Sequence, residues 1–68
     1  MIDKDSRAQL IAYWVEQAKS TAKEAEFLLN NDMLRGSMNR IYYSMFYMLQ
    51  ALSLQHQFES SKHTQLLG

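Results

Sequence analysis

The stretch that decides the fold runs from Asn39 to Leu54 and reads NRIYYSMFYMLQALSL. Its apolar residues recur at spacings of three and four, which is the pattern of one face of an α-helix. That predicted stripe consists of Ile41, Tyr42, Met45, Met48, Leu49 and Leu52. More large apolar residues lie on its flanks, namely Tyr43, Phe46, Tyr47 and Leu54. Because apolar side chains surround most of this helix, we expect more than one neighbour to cover it.

Another helix is predicted upstream, from Ser6 to Leu29, because this segment lacks glycine and proline and is rich in strong helix formers. We expect its packing seam to consist of Ile11, Val15, Ala18, Ala22, Ala25 and Leu29. These positions alternate by four and three, which is typical of antiparallel packing at a shallow crossing angle. The three alanines should let a second helix approach closely at mid-length.

The polar run from Asn30 to Asp32 is the clearest break in the chain. Asparagine tolerates the left-handed conformation that ends a helix, and Asp32 can cap the next helix. A connection this short predicts two antiparallel neighbours, an αα-hairpin. The second helix should extend to about Gln55. After the polar segment 57–61, a third helix should open at Lys62.

Length and composition indicate a small all-α domain. The 68 residues form at most one domain, 1–68, near the lower size limit for an independent core. Leu66 and Leu67 have nothing of their own to pack on, so we expect an incomplete helical bundle. Apolar and polar residues do not alternate with a period of two, so we expect no strand. No apolar run is long enough to span a membrane. Without cysteine or a signal peptide, a cytoplasmic location is the default expectation.

Charge balance bears on the partners of the chain. Seven basic and seven acidic residues give a formal net charge of zero. Proteins that bind duplex DNA usually have a basic excess, so we expect no duplex-DNA partner, although a local patch can still contact a few phosphates. Low net charge favours self-association, and the five methionines form an adaptable surface for a second chain. We therefore predict an obligate homodimer or a higher oligomer.

Polar residues at the start of the second helix form a candidate site. At helical spacing, Arg40, Tyr43, Ser44 and Tyr47 share one face, and Asn39 lies on the adjoining face. A guanidinium flanked by tyrosines can bind a phosphate and stack a base. Equally, Arg40 can be an internal anchor that pairs with an acidic residue of the first helix. The spacing favours the anchor, since amphipathic aromatic residues are common in bundle cores.

The two histidines raise the questions of a metal site and of acid–base catalysis. His56, Glu59 and His63 have the spacing of one helical face, but no fourth ligand is evident, so we expect no metal site. His63, beside Lys62, can act as a general acid or base if Arg40 holds a phosphate nearby. The sequence contains no phosphate-binding loop, nucleophile elbow or zinc-protease motif, and we expect no cofactor.

Several of these elements follow one another in an order typical of a known family. They are Asn39, Arg40, Tyr42, Tyr43, Ala51, Leu52, Lys62 and His63. Their order and spacing resemble the HEPN superfamily of small helical domains. The similarity is greatest to the standalone HEPN proteins that are often encoded beside a minimal nucleotidyltransferase. It covers the last forty or so residues well and the first helix more loosely.

The resemblance implies an up-and-down bundle of four or five helices that commonly dimerises. This chain would supply the first two helices and the start of a third. It also implies a role with RNA or nucleotides, because several HEPN proteins are metal-independent ribonucleases that act as toxins. In those nucleases, four to six residues separate the arginine from the histidine that follows it. The corresponding positions here are Met45, Phe46 and Tyr47, which argues against autonomous cleavage.

Two functions follow from these observations. The first is a HEPN-type interaction module that dimerises and engages a nucleotidyltransferase partner, a nucleotide or RNA. Its candidate ligand-binding residues are Asn39, Arg40, Tyr43, Tyr47 and Lys62. The second is a metal-independent, toxin-like ribonuclease, in which Arg40 orients the scissile phosphate and His63 moves the proton. The first is favoured, because the spacing does not supply a catalytic geometry.

Overall fold

The computed structural model describes residues 4–67, and it describes side chains for residues 6–57. It consists of two helices, α1 (Lys4–Asn30) and α2 (Leu34–Leu67), packed against each other as a hairpin. The described residues contain no strand, so the prediction of an all-α helical hairpin is confirmed. Over the same residues, neither helix combines the length and the apolar character needed to cross a membrane.

A tight turn reverses the chain between the two helices. The Met33 N–H donates to the carbonyl oxygen of Leu28 at 2.9 Å, and the Asp32 N–H donates to that of Leu29 at 3.1 Å. These two bonds, with Asp32 at φ 59°, form a Schellman motif. The prediction had placed an asparagine in the left-handed conformation and Asp32 at the start of α2. Instead Asp32 ends α1, since its short polar side chain tolerates this conformation almost as well as asparagine does.

Small side chains line the contact between the helices. The buried residues are Ala18, Thr21 and Ala25 of α1, and Ser37 and Ala51 of α2. The α1 residues are three and four positions apart, and the two α2 residues are fourteen positions, or two heptads, apart. Both spacings are expected for near-antiparallel helices. The Ser44 hydroxyl donates across the contact to the Ala18 carbonyl oxygen at 2.9 Å. Short side chains therefore bring the two backbones close together.

The α1 seam differs in part from the predicted one. Four predicted positions are buried or partly buried, namely Ile11, Val15, Ala18 and Ala25. By contrast, Ala22 and Leu29 are exposed, and Thr21 and Leu28 take their places. The prediction counted only apolar residues and so did not include Thr21 in the seam. A threonine is small enough to lie in an alanine-lined contact.

The predicted third helix is wrong. α2 continues without interruption to Leu67, whereas the predicted helix ended near Gln55 and a new helix was predicted to open at Lys62. The segment 57–61 is polar but contains neither glycine nor proline. Serine costs less than about 0.7 kcal/mol in a helix interior, whereas glycine costs about 1 kcal/mol, so the two serines do not force the helix to end there.

α1 covers only one side of α2. Beside this contact, about a quarter-turn around α2 at about 100° per residue, runs an exposed apolar row, which we call the outer stripe, consisting of Leu34, Met38, Ile41, Met45, Met48 and Leu52. The exposed fractions in this row range from 37% at Met48 to 62% at Met45. Its positions alternate by four and three, which is the spacing of a helix-packing seam. This geometry is consistent with the expectation that α2 needs more than one neighbour to cover its apolar side chains.

Replacing Gly36 by alanine should stabilise the hairpin. Gly36 lies in the first turns of α2 without a positive φ, and an added Cβ would meet the Leu28 side chain at 3.4 Å, an ordinary contact. Alanine gains about 0.5–1 kcal/mol of helix propensity over glycine. We therefore expect a higher midpoint of thermal unfolding, measured by circular dichroism. A lower midpoint would show that the helices are closer here than the structure has them.

Candidate functional site

Arg40 lies on the side of α2 that faces α1, at the edge of the helix contact. Its Nη1 is 3.7 Å from Oε1 of Glu24 on α1. The exposed fractions of the two side chains are 35% and 57%, so the pair is open to water. The prediction that Arg40 pairs with an acidic residue of the first helix is thereby confirmed. Pairs this exposed contribute about 0–1 kcal/mol to stability, so the anchor is weak.

Asn39 orients the guanidinium from the neighbouring position. Its Oδ1 accepts hydrogen bonds from Nη2 of Arg40 at 2.8 Å and from Nε at 3.3 Å. The Tyr43 ring lies next to the same group, with its centroid 5.4 Å from the Arg40 Cζ. This distance is within the range of a cation–π interaction. The guanidinium is therefore held on one edge by an amide and on one side by an aromatic ring.

A row of aromatic rings continues from Tyr43 along the hairpin. The centroid of the Tyr43 ring lies 5.3 Å from that of Tyr42 and 6.2 Å from that of Tyr47. Tyr47 in turn lies 5.6 Å from Trp14 of α1. The predicted common face of Arg40, Tyr43 and Tyr47 is thus present. The predicted face did not include Trp14, although Trp14 lies four residues before the buried Ala18 and so shares its face of α1.

A shallow depression on the surface adjoins Arg40. Its lining residues are Ser20, Lys23, Glu24, Phe27, Leu28 and Arg40. Phe27 is 65% exposed, and Lys23 is exposed as well. The depression therefore has two cationic side chains, one carboxylate and an accessible aromatic ring in its walls. These groups suit a ligand that combines an anionic group with a flat apolar one.

The remaining predicted site residues lie far from Arg40 along the same helix. The side chains of Lys62 and His63 fall outside the described ones, but the α2 backbone extends past both. At a rise of about 1.5 Å per residue, His63 is about 34 Å from Arg40 within one chain. The two cannot hold the same phosphate in one chain. His56 is exposed, and among the described residues no three metal-ligating side chains converge.

Comparison with known proteins places this hairpin in a family. The family model of the HEPN domain matches residues 11–68, which is most of the chain. The chain belongs to the HEPN family. The resemblance of the Asn39–Tyr43 region and the 62–63 region is thus confirmed at the level of the family. The fold of this HEPN chain is correspondingly all-helical.

Two curated relatives of the HEPN chain are informative. The UPF0332 protein of Thermotoga maritima is 36% identical over 64 residues, which cover 94% of this chain and 48% of that protein. A protein of Methanocaldococcus jannaschii, whose name describes it as a putative toxin, is 36% identical over 53 residues, which cover 78% of this chain and 36% of that protein. The chain thus spans half or less of the length of both relatives. No solved structure matches it.

Proposed function

We propose that this HEPN chain is a binding and interaction module of the cytoplasm. It pairs with a second copy through the outer stripe of α2, and it binds the phosphate of a nucleotide or of single-stranded RNA at Arg40. The two surfaces do not compete, because they lie on different flanks of the α1 contact: at about 100° per residue, Arg40 is on one side of the row of Ser37 and Ala51, and the outer stripe is on the other.

The observation that carries the ligand proposal is the arrangement of the Arg40 guanidinium. It is accessible to water, Asn39 fixes its orientation, and Tyr43 offers a ring that is 37% exposed beside it. An oriented guanidinium binds phosphate with two parallel hydrogen bonds, and an adjacent aromatic ring can stack a base without selecting its identity. Sequence-tolerant binding of single-stranded RNA or nucleotides needs these two groups side by side.

The outer stripe supports the self-association proposal. From Leu34 to Leu52 it extends for about 27 Å along α2, at about 1.5 Å per residue. Soluble monomers rarely expose a contiguous apolar surface of this extent. A second copy carries the same stripe, and two such stripes can pack on each other around a two-fold axis. The three methionines in the stripe can adjust to such a partner.

A nucleotidyltransferase partner is the third part of the proposal. It is supported by the similarity to HEPN proteins encoded beside such enzymes, which rests on the order and spacing of Asn39, Arg40, Tyr42, Tyr43, Ala51, Leu52, Lys62 and His63. Size-exclusion chromatography of the chain mixed with a minimal nucleotidyltransferase tests it. Co-elution is the expected result, and separate elution at micromolar concentrations of both proteins would contradict it.

A toxin-like ribonuclease is the second candidate, and the name of the Methanocaldococcus jannaschii relative favours it. The separation of Arg40 and His63 by about 34 Å means that a second subunit would have to supply the histidine. Incubation of the chain with single-stranded RNA separates the two candidates. We expect the RNA to be bound and to stay intact. Cleavage that disappears in both Arg40→Ala and His63→Ala, and returns when the two variants are mixed, would establish the nuclease instead.

Replacing Arg40 by alanine should weaken RNA binding by about tenfold or more. Hydrogen bonds to a charged group are worth about 1.5–3 kcal/mol, and each 1.4 kcal/mol corresponds to a tenfold change in Kd. Fluorescence anisotropy of a labelled single-stranded RNA measures the change. Arg35→Ala is the matched control, because Arg35 is an exposed arginine of the same helix and its removal changes the net charge equally. Equal losses in the two variants would contradict a specific role for Arg40.

A further inference from the structure

One side chain in the Arg40 depression opposes the proposed ligand. Glu24 is the only carboxylate among the lining residues that the structure describes, and its Oε1 faces Nη1 of Arg40. On the other edge, the guanidinium donates its Nε proton and one of its two Nη2 protons to Asn39 Oδ1. A phosphate that approaches Arg40 from the depression therefore meets the edge that Glu24 occupies.

The geometry of the ion pair indicates that Glu24 can be displaced. Its 3.7 Å separation is well beyond the 2.7–2.9 Å that is typical of a charge-assisted hydrogen bond. Asn39, by contrast, is bonded to Arg40 at 2.8 Å. Asn39 thus determines where the guanidinium lies, and Glu24 neutralises it without holding it firmly. With more than half of its side chain exposed, Glu24 can turn into water when an anion arrives.

We infer that Glu24 is an intramolecular competitor that occupies the phosphate position of Arg40 and so limits the affinity of the site for anionic ligands. This inference rests on the proposed binding of RNA at Arg40. Ligands that offer only one weak anionic contact are excluded by the carboxylate. Single-stranded RNA can displace it, because a neighbouring phosphate can reach Lys23 while a base stacks on Tyr43 or Phe27.

Replacing Glu24 by glutamine tests this competition directly. The amide keeps the size of the side chain and removes its charge, so Arg40 and Lys23 face the ligand without a carboxylate between them. We expect Glu24→Gln to bind a labelled single-stranded RNA of about ten nucleotides roughly two- to fivefold more tightly, as the loss of an exposed ion pair allows. Glu16→Gln is the control, since it removes the same charge from an exposed site two turns away on α1. Its affinity should match that of the unmodified chain.

A second substitution separates competition at Arg40 from a general charge effect. In an Arg40→Ala background, Glu24→Gln should change the affinity no more than Glu16→Gln does. An equal gain in both backgrounds would overturn the inference, because Glu24 would then act without Arg40. Thermal unfolding followed by circular dichroism verifies that each variant retains its helices.

The outcomes distinguish this inference from the proposed function. If the unmodified chain binds RNA through Arg40 and Glu24→Gln is no tighter, Glu24 is a structural partner only and the inference fails alone. If neither the unmodified chain nor Glu24→Gln binds RNA, the proposed function fails and the inference fails with it. Tighter binding that requires Arg40 supports both.

Discussion

Replacing Met45 by glutamate should abolish pairing of the chain with a second copy. Met45 lies in the middle of the outer stripe and is 62% exposed in the single chain, so a glutamate fits there without disturbing α1. In a two-fold pair the same substitution buries a carboxylate from each subunit. Burying a charge without a partner costs several kcal/mol, so we expect the dissociation constant to rise by about 100-fold or more.

Sedimentation velocity of the variant measures this loss, and two controls make it specific. Met45→Leu keeps an apolar side chain of similar volume and should pair as the unmodified chain does. Gln57→Glu adds the same charge at an exposed position of α2 outside the outer stripe and should also leave pairing intact. Pairing by Met45→Glu as strong as in these controls would place the self-association surface elsewhere on the molecule.

Replacing Ala25 by leucine should destabilise the hairpin strongly. Ala25 is 4% exposed and lies in the contact between α1 and α2, where small side chains let the backbones approach. Inserting a larger side chain into a packed contact costs about 1–3 kcal/mol. A domain of this size has only a few kcal/mol of stability in total, so the change should remove much of its cooperative unfolding transition.

Thermal unfolding by circular dichroism measures the effect, with Ala12→Leu as the control. Ala12 lies on the same helix and is exposed, so the same substitution there should change stability by less than about 0.5 kcal/mol. If the two variants unfold at the same temperature, the close contact at Ala25 is absent. If Ala12→Leu alone is destabilised, α1 presents a different face to α2.

The two helices and their turn could be predicted because each is encoded locally. Helix-forming residues fill both segments, and the polar run before Met33 ends the first of them. The face of α1 that packs was less predictable, since Thr21 is polar yet buried and Ala22 is apolar yet exposed. The end of α2 was misjudged because the polar serines at 60 and 61 were taken for a helix boundary, although serine is tolerated within a helix.

The face of α2 that contacts α1 could not be predicted from hydrophobicity. The outer stripe of α2 consists of large apolar side chains, yet α1 packs on the side that carries Ser37, Ser44 and Ala51. The α1 seam is built largely of alanines, so α2 can approach it most closely with a face that also carries small side chains. Larger side chains such as Met45 are therefore left on the outside, where they are available to other partners.

The candidate site was predicted in part. Helical spacing alone places Arg40, Tyr43 and Tyr47 on one face, and an acidic partner on α1 was expected for Arg40. The identity of that partner depends on the register between the helices, which the left-handed turn at Asp32 determines and no local pattern shows. For the same reason, the contact of Trp14 with Tyr47 is visible only in three dimensions.

Sedimentation equilibrium of the unmodified chain at micromolar concentration shows whether a second copy of the chain covers the outer stripe of α2, which α1 leaves exposed. The predicted result is a mass of at least twice 8.0 kDa for a chain with helical circular dichroism. A folded, helical monomer of 8.0 kDa at that concentration would contradict the account.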